Sequence, residues 1–581
     1  MVTTDYIFIF LNLIGVLIIG GIFSMRMKNS KDMFIAGRNS SWWVAGLSGY
    51  MTIFSAGTFV VWGGIAFRLG LVAVSILMMI GLALILIGMF VSGKWRQTGI
   101  KSPAEFLGIR FGKTTITLYT IIGVFGRGIS VAVALYAVSI LFVALIPLPE
   151  GHFLINPDTG NMSVFWAIFF IGTTAMLYTV AGGLWAVLMI DVVQFLMLML
   201  IILLVIPFSL ESVGGLGSFI DKAPDGFFHL VGGEYSFIWL LMWMILNFFL
   251  NGGDWPFVQR YISVPKVKDS KKTAFLMASL YIVTPILWML PAMVYRVINP
   301  DANPEQAYIL MSKHVLPAGM LGLMMAAMIS ATTSMIDSML NVFAGVFTHD
   351  IYRSVNPYAS EKKLVNVGRV FTFIFGVFVI GIAMLIPFLG GAERVVITLV
   401  SLIIGPLAIP SIWGLFSKYI NEKAVWLSLG ITWAIGLYVK LGLSLQGAIS
   451  NTGDGGAYIF TFVRNHVELT DAIIGLIIPV SILLIIELIA RSKEVDKGWV
   501  KLSYYSKNNE EEENITATAA ALKLTKQILF WAFSILGIGV TWLAIVSEKE
   551  KGILIIFSIL LLIIPFISIL NYLIKIIRNI K

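Results

Sequence analysis

The chain has 581 residues, 58% of them hydrophobic and 12% charged, with a net charge of +9 and no cysteine. Soluble domains carry about a quarter charged residues, so this composition excludes a water-soluble globule and points to a membrane protein. Without cysteine there is no disulfide, thiolate metal site or cysteine nucleophile, and the positive balance lies in short loops, not on one face, so it does not mark a nucleic-acid partner.

Apolar runs fall at residues 6–25, 43–67, 71–93, 114–146, 163–181, 187–210, 236–254, 272–298, 319–348, 364–389, 395–416, 423–443, 471–490, 526–546 and 552–576. Runs of about 20 residues cross a bilayer core of ~30 Å, so each is a predicted span. The first, MVTTDYIFIF, has no basic region or small-residue cleavage site and is expected to be a span, not a removable signal. The first loop holds Arg26, Lys28, Lys31 and Arg38, the third Lys94, Arg96, Lys101, Arg110 and Lys113, and the seventh Arg260, Lys266, Lys268, Lys271 and Lys272. The fourth, PLPEGHFLINPDTGNMS, has no lysine or arginine. Positive loops stay inside, which predicts an outer N-terminus and a cytoplasmic C-terminus in a bacterial inner membrane. The polar stretch 491–525, with KNNEEEEN, is expected to be a cytoplasmic linker with a short helix at ATAAALKLTK.

Two spans carry helix-weakening residues. Span two, SWWVAGLSGYMTIFSAGTFVVWGGIAF, intersperses Gly46, Gly49 and Gly57 with Ser48, Thr52, Ser55 and Thr58, a pattern that fits close helix packing as well as a break. Span seven, LMWMILNFFLNGGDWPF, holds Asn247, Asn251, Gly252, Gly253, Asp254 and Pro256, which oppose a continuous helix. The two lie five spans apart. Interrupted helices at equivalent places in two halves mark inverted-repeat transporters, with binding sites near the midplane.

Charges inside spans are expensive and point to function. Arg127 lies ~20 Å into span four. It either pairs with a carboxylate, Asp337 or Asp191, or clamps a solute carboxylate. Span nine carries SATTSMIDSMLN, with Ser330, Thr332, Thr333, Ser334, Asp337 and Ser338, at the same depth as Asp191 of span six. Such hard oxygen donors suit an alkali cation; the alternative is that the hydroxyls bond back to their own helix.

On these residues the chain resembles the sodium/solute symporter family, bacterial sugar and sialic-acid carriers in particular. The similarity rests on YTVAGGLWAVLMIDVVQF at 178–195, FIAGRNSSWWVAGLS at 34–48, SPAEFLGIRFG at 102–112, VQRYIS at 258–263 and SMLNVFAGVFTHDIY at 338–352. The resemblance implies an all-α polytopic membrane protein with the five-plus-five inverted-repeat (LeuT-type) fold in spans two to eleven, among about 15 transmembrane helices. It implies a sodium (Na+) site at the carbonyls of Met51, Phe54 and Ala331 and the hydroxyl of Ser334, with Met335 where a second hydroxyl is expected. A second sodium would use Asp191, Asp337 and Ser338. Positions that bind neutral sugar in relatives read Leu77, Tyr281, Thr58 and Ile397 here; Asn247 keeps an amide. The match to sialic-acid carriers at Ser55, Thr58 and Arg127, with GRGISVAVALYA at 126–137, shifts Arg127 toward solute binding.

The expected organisation is an N-terminal accessory helix and loop (1–42), spans two to seven (43–254), the remainder of the second repeat (255–416), accessory helices (417–490), the linker (491–525) and two C-terminal spans (526–581). The expected function is sodium-coupled symport of a small organic solute, first an organic anion such as an acidic sugar, with a neutral sugar or amino acid as the alternative. A membrane solute sensor is the rival from another class. An enzyme is not expected, since no HExxH or GxSxG motif lies at a span. The partners are solute, sodium and lipid; the sequence does not fix an oligomeric state.

Overall fold

A helix that is apolar on every side satisfies its own backbone and needs no water, and this chain is built almost wholly from such helices. The computed structural model describes residues 3–11, 14, 40–179, 184–317, 319–389, 391–446, 463, 466–491, 494–508 and scattered positions from 530 to 566. The two C-terminal spans and most of span one lie largely outside the described residues, as does ATAAALKLTK.

Span two comprises Trp42–Ile53, Thr58–Trp62 and Gly63–Leu69, and span three Leu71–Phe90. Spans four to six are Lys113–Val143, Val164–Thr179 and Leu184–Ser212. Span seven is Phe237–Gly253 followed by Trp255–Ile262, span eight Val267–Ile298, span nine Met320–Val346 and span ten Glu361–Leu385. Span eleven runs through Ala392–Leu399, Val400–Ile404 and Gly405–Phe416; Glu422–Gln446 and Val467–Ala490 follow. Among the described residues, seven helices are long and apolar enough to cross a membrane, or eight if the bent pair in span seven is one span. Phe165, Phe169 and Phe170 on span five and Ile374 and Val377 on span ten are exposed, an apolar outer surface. Following the loop charges, the end bearing Arg68 and Glu393 is called outer.

Most of the buried apolar side chains among the described residues form one large cluster, with two small ones beside it, at Val143, Met162 and Ala167 and at Leu250, Leu399 and Ile404. Span eight lies along spans two and three, and small residues set the approach. A Cβ at Gly46 would come 2.8 Å from Leu276, and at Gly49 2.6 Å from Met277, so these two glycines serve packing. Gly57 meets no neighbouring helix and belongs to the break.

Span seven is interrupted, as expected, but not at its glycines. Its helix continues through Gly252 and Gly253 and bends by 57° only at Asp254. At 1.5 Å per residue the bend comes ~25 Å along the span, toward its inner end and not at the midplane. The cause is packing and side-chain donors. A Cβ at Gly253 would lie 2.7 Å from the Ala408 carbonyl of span eleven. The Trp95 indole donates to the Gly252 carbonyl at 2.6 Å, and the Tyr261 hydroxyl to that of Asn251 at 3.0 Å. These bonds satisfy the helix end that glycines alone would fray.

Two polar ties sit at the ends of the bundle. The buried carboxylate of Asp5 accepts the backbone N–H groups of Gly319 and Gly322, both at 2.8 Å, and so caps span nine from the first helix. At the inner end, Arg110 donates to the carbonyls of Gly414 and Ser417 and pairs with Asp496 at 2.6 Å. In the expected linker, Lys497–Asn508 forms a helix against Pro103–Phe111.

Candidate functional site: a central cavity at two helix breaks

Span two loses its helix at Phe54, whose backbone is extended, and regains it at Ala56. The broken turn leaves amide groups without helical partners, and nearby hydroxyls take them. The Ala56 N–H donates to Thr332 Oγ1 of span nine at 3.0 Å, the Gly57 N–H to Ser55 Oγ at 3.1 Å, and the Ser55 N–H to Thr58 Oγ1 at 3.4 Å. Each hydroxyl accepts here, and no bond among the described residues occupies the O–H of Ser55 or Thr58. Two donors therefore remain at the break.

Those hydroxyls open on a cavity with about 1040 Å³ of empty volume, including its open side. Ser55, Thr58, Arg127 and Asn247, drawn from spans two, four and seven, all line it. Its walls are mainly apolar and aromatic, with Trp62, Trp243, Tyr281 and Trp288 among them. Few polar groups amid apolar walls is the usual make-up of a small-molecule site. Leu77 and Tyr281 also face the cavity; Ile397 does not line it, while its neighbours Val396 and Val400 do. The Asn247 amide donates to the Trp243 carbonyl at 2.9 Å, and its oxygen accepts from Asn251 at 3.3 Å, so much of its capacity is spent on its own helix.

Arg127 is buried and paired, and its carboxylate is Asp254, at the bend of span seven. Sequence reading weighed Asp337 and Asp191 as partners and used Asp254 only as a helix breaker. The contact runs from Nη2 to Oδ2, and Nε has no hydrogen-bond partner among the described residues.

The expected sodium residues divide in two. Met51, Phe54 and Ala331 are fully buried where spans two and nine meet, next to the Ala56–Thr332 bond. Met335 is buried against the cavity. Thr333 donates to the Ser330 carbonyl at 2.9 Å, back to its own helix. Ser334, Asp337 and Ser338 belong to span nine and Asp191 to span six, helices that pack together. The side chains of these four lie outside the described residues.

At the outer end, Arg68 pairs with Glu393 at 2.8 Å and Glu234 at 3.3 Å, and the Tyr235 hydroxyl donates to Glu393 at 2.8 Å. Glu305 accepts from the Ala392 N–H at 3.2 Å and the Tyr136 hydroxyl at 3.4 Å. Burial pushes the Glu305 carboxyl above its ordinary value; those two bonds work against the shift and nearby Glu393 adds to it. None of these residues was singled out from the sequence, since each pairs across loops distant in the chain.

Residues 33–428 match the sequence profile of the sodium:solute symporter family. The chain belongs to that family. Among relatives of this symporter, the sodium/glucose cotransporter of Vibrio parahaemolyticus is 26% identical over 71% of this chain and 80% of its own length. The sodium/myo-inositol cotransporter 2 of Bos taurus is 27% identical over 70% of this chain and 65% of its own length. A solved structure of a Na+-coupled sialic acid symporter, substrate-bound and outward-open, superposes with a TM-score of 0.67 at 22% identity, covering 85% of this chain and 99% of that one. The likeness establishes the shared all-helical, multi-pass membrane fold. Family members and relatives are transporters, so the chain is a transporter and not an enzyme.

Proposed function

We propose that this symporter imports a small organic anion, an acidic sugar such as sialic acid or another carboxylate, together with sodium. The observation that carries this reading is the convergence of the Arg127 guanidinium and the free O–H donors of Ser55 and Thr58 on one cavity at the break of span two. Donors gathered in one place suit a carboxylate. Sodium would bind beside it, at the carbonyls of Met51, Phe54 and Ala331 and the Ser334 hydroxyl, with Asp191, Asp337 and Ser338 serving a second ion. The five-plus-five repeat of spans two to eleven would rock about this site, with the N-terminus outside and the C-terminus in the cytoplasm of a bacterial cell. Each sodium carried down the potential contributes ~2.3 kcal/mol per 100 mV.

Uptake of labelled sialic acid into proteoliposomes, with an inward sodium gradient or with potassium in its place, tests the reading; uptake indifferent to sodium would sink it. A neutral sugar is the second reading, favoured by the aromatic walls and by Asp254 neutralising Arg127. Arg127→Ala abolishes binding of an anion and spares that of a sugar. Met335→Ser adds an oxygen ligand at the sodium site and is expected to tighten sodium about fivefold, the equivalent of one added bond of ~1 kcal/mol.

A further inference from the structure

The Arg127–Asp254 pair links the linings of two cavities. Arg127 lines the large central one; Asp254 lines a second, of about 300 Å³, with Tyr119, Trp255, Phe343 and Ser411. Asp254 is also the residue at which span seven bends, and its carbonyl accepts the Phe257 and Val258 N–H groups that begin the inner half-helix. One side chain thus joins the cavity's cation to the hinge. The grip is single, one nitrogen to one oxygen, and Nε has no hydrogen-bond partner among the described residues. A planar guanidinium prefers a two-point carboxylate contact.

We propose that Asp254 holds the place of the solute's carboxylate in the empty carrier, and that a solute carboxylate takes Arg127 from it and so frees the hinge of span seven. This rests on the organic-anion reading above. One guanidinium neutralises one carboxylate, so the solute and Asp254 compete for it, and the carboxylate that loses Arg127 takes up a proton or turns to polar groups such as the Tyr119 and Ser411 side chains of the smaller cavity. The incoming group has help that Asp254 lacks, namely the O–H donors of Ser55 and Thr58 on the same cavity. Once released, Asp254 faces the smaller cavity beyond the bend, where the inner half-helix is no longer tied to span four. A neutral solute leaves Arg127 with Asp254 and the hinge tied, so Asp254 determines specificity for charge without touching the solute.

The test uses the purified full chain in sodium buffer. A panel of sialic acid, glucuronate, lactate and glutamate, with glucose and myo-inositol as neutral controls, is titrated into the wild type and Asp254→Asn. The expected result is that the carboxylate bound by the wild type binds Asp254→Asn about tenfold tighter, while its sodium-driven uptake falls at least tenfold. Equal or weaker binding by a folded Asp254→Asn overturns the exchange and leaves the anion reading intact. A wild type that binds neutral controls alone overturns both. Hydrogen exchange on the wild type needs no variant: a bound carboxylate is expected to speed exchange across residues 255–262 and a neutral control to leave it unchanged. No difference between the two likewise overturns the exchange.

Discussion

The two interruptions of the bundle are built from opposite materials. Span two breaks at Phe54 and Ser55 with no charge present, and the amides freed there are taken up by Ser55, Thr58 and Thr332. Span seven stays helical through two glycines and then bends at a carboxylate held by a cation from another helix. The first break presents backbone and hydroxyl groups at fixed positions, as a site for small ions and polar solutes needs. The second is a joint closed by a charge pair. Glycines occur in both and do not tell them apart; the partner of each freed group does.

The sharpest way to break the comparison is Arg127→Ala. It leaves Asp254 buried without its counter-charge, so the protein should lose ~3–5 kcal/mol of stability along with all anion transport. Thermal unfolding and uptake read the two effects, and near-wild-type stability would show that the joint does not depend on the pair. Thr332→Val addresses the other break. It strands the Ala56 N–H, at a cost of ~1–3 kcal/mol, and should weaken sodium more than solute. A variant with unaltered sodium dependence would mean that span nine does not hold the break in register.

The smallest effect is expected at the outer end, where Arg68 is 36% exposed and its partners Glu234 and Glu393 are 33% and 30% exposed; the Arg127–Asp254 side chains are only 9% and 12% exposed. Surface pairs contribute at most ~1 kcal/mol, so Arg68→Gln should hardly shift unfolding. Glu305 supplies the pH signature there. Its raised pKa means that the folded protein holds the proton to higher pH than the unfolded chain does. Stability should therefore be greatest below the ordinary glutamate value and fall as pH rises through the folded value. Glu305→Gln should flatten that slope above about pH 4. A melting profile with the same slope in both proteins would contradict it.

The sequence carried much of this because apolar length and glycine placement are local. The runs at 71–93 and 114–146 became Leu71–Phe90 and Lys113–Val143, and the weak point of span two lies where its polar residues cluster. Depth along a helix could be counted, and it placed Arg127 well inside the membrane. Counting rise gives no direction around the helix and no tilt, so it could not choose among Asp191, Asp337 and Asp254 as the partner. The residue at which span seven bends was out of reach for a similar reason: the indole that satisfies Gly252 comes from Trp95, 157 residues away. Arg110 looked like one more loop charge, although it ties span eleven to Asp496 from a buried position.

The first helix has a practical consequence. Asp5 seals the outer end of span nine, the helix that also supplies Thr332 to the break of span two. A Cβ at Gly322 would run into the backbone of Asp5, so the two helices lie in direct contact there. An affinity tag or fluorescent fusion placed just ahead of residue 5 would press on this contact. Its strain would pass down a rigid rod to the threonine that steadies the break. A label carried elsewhere in the chain would give the truer measure of ion coupling.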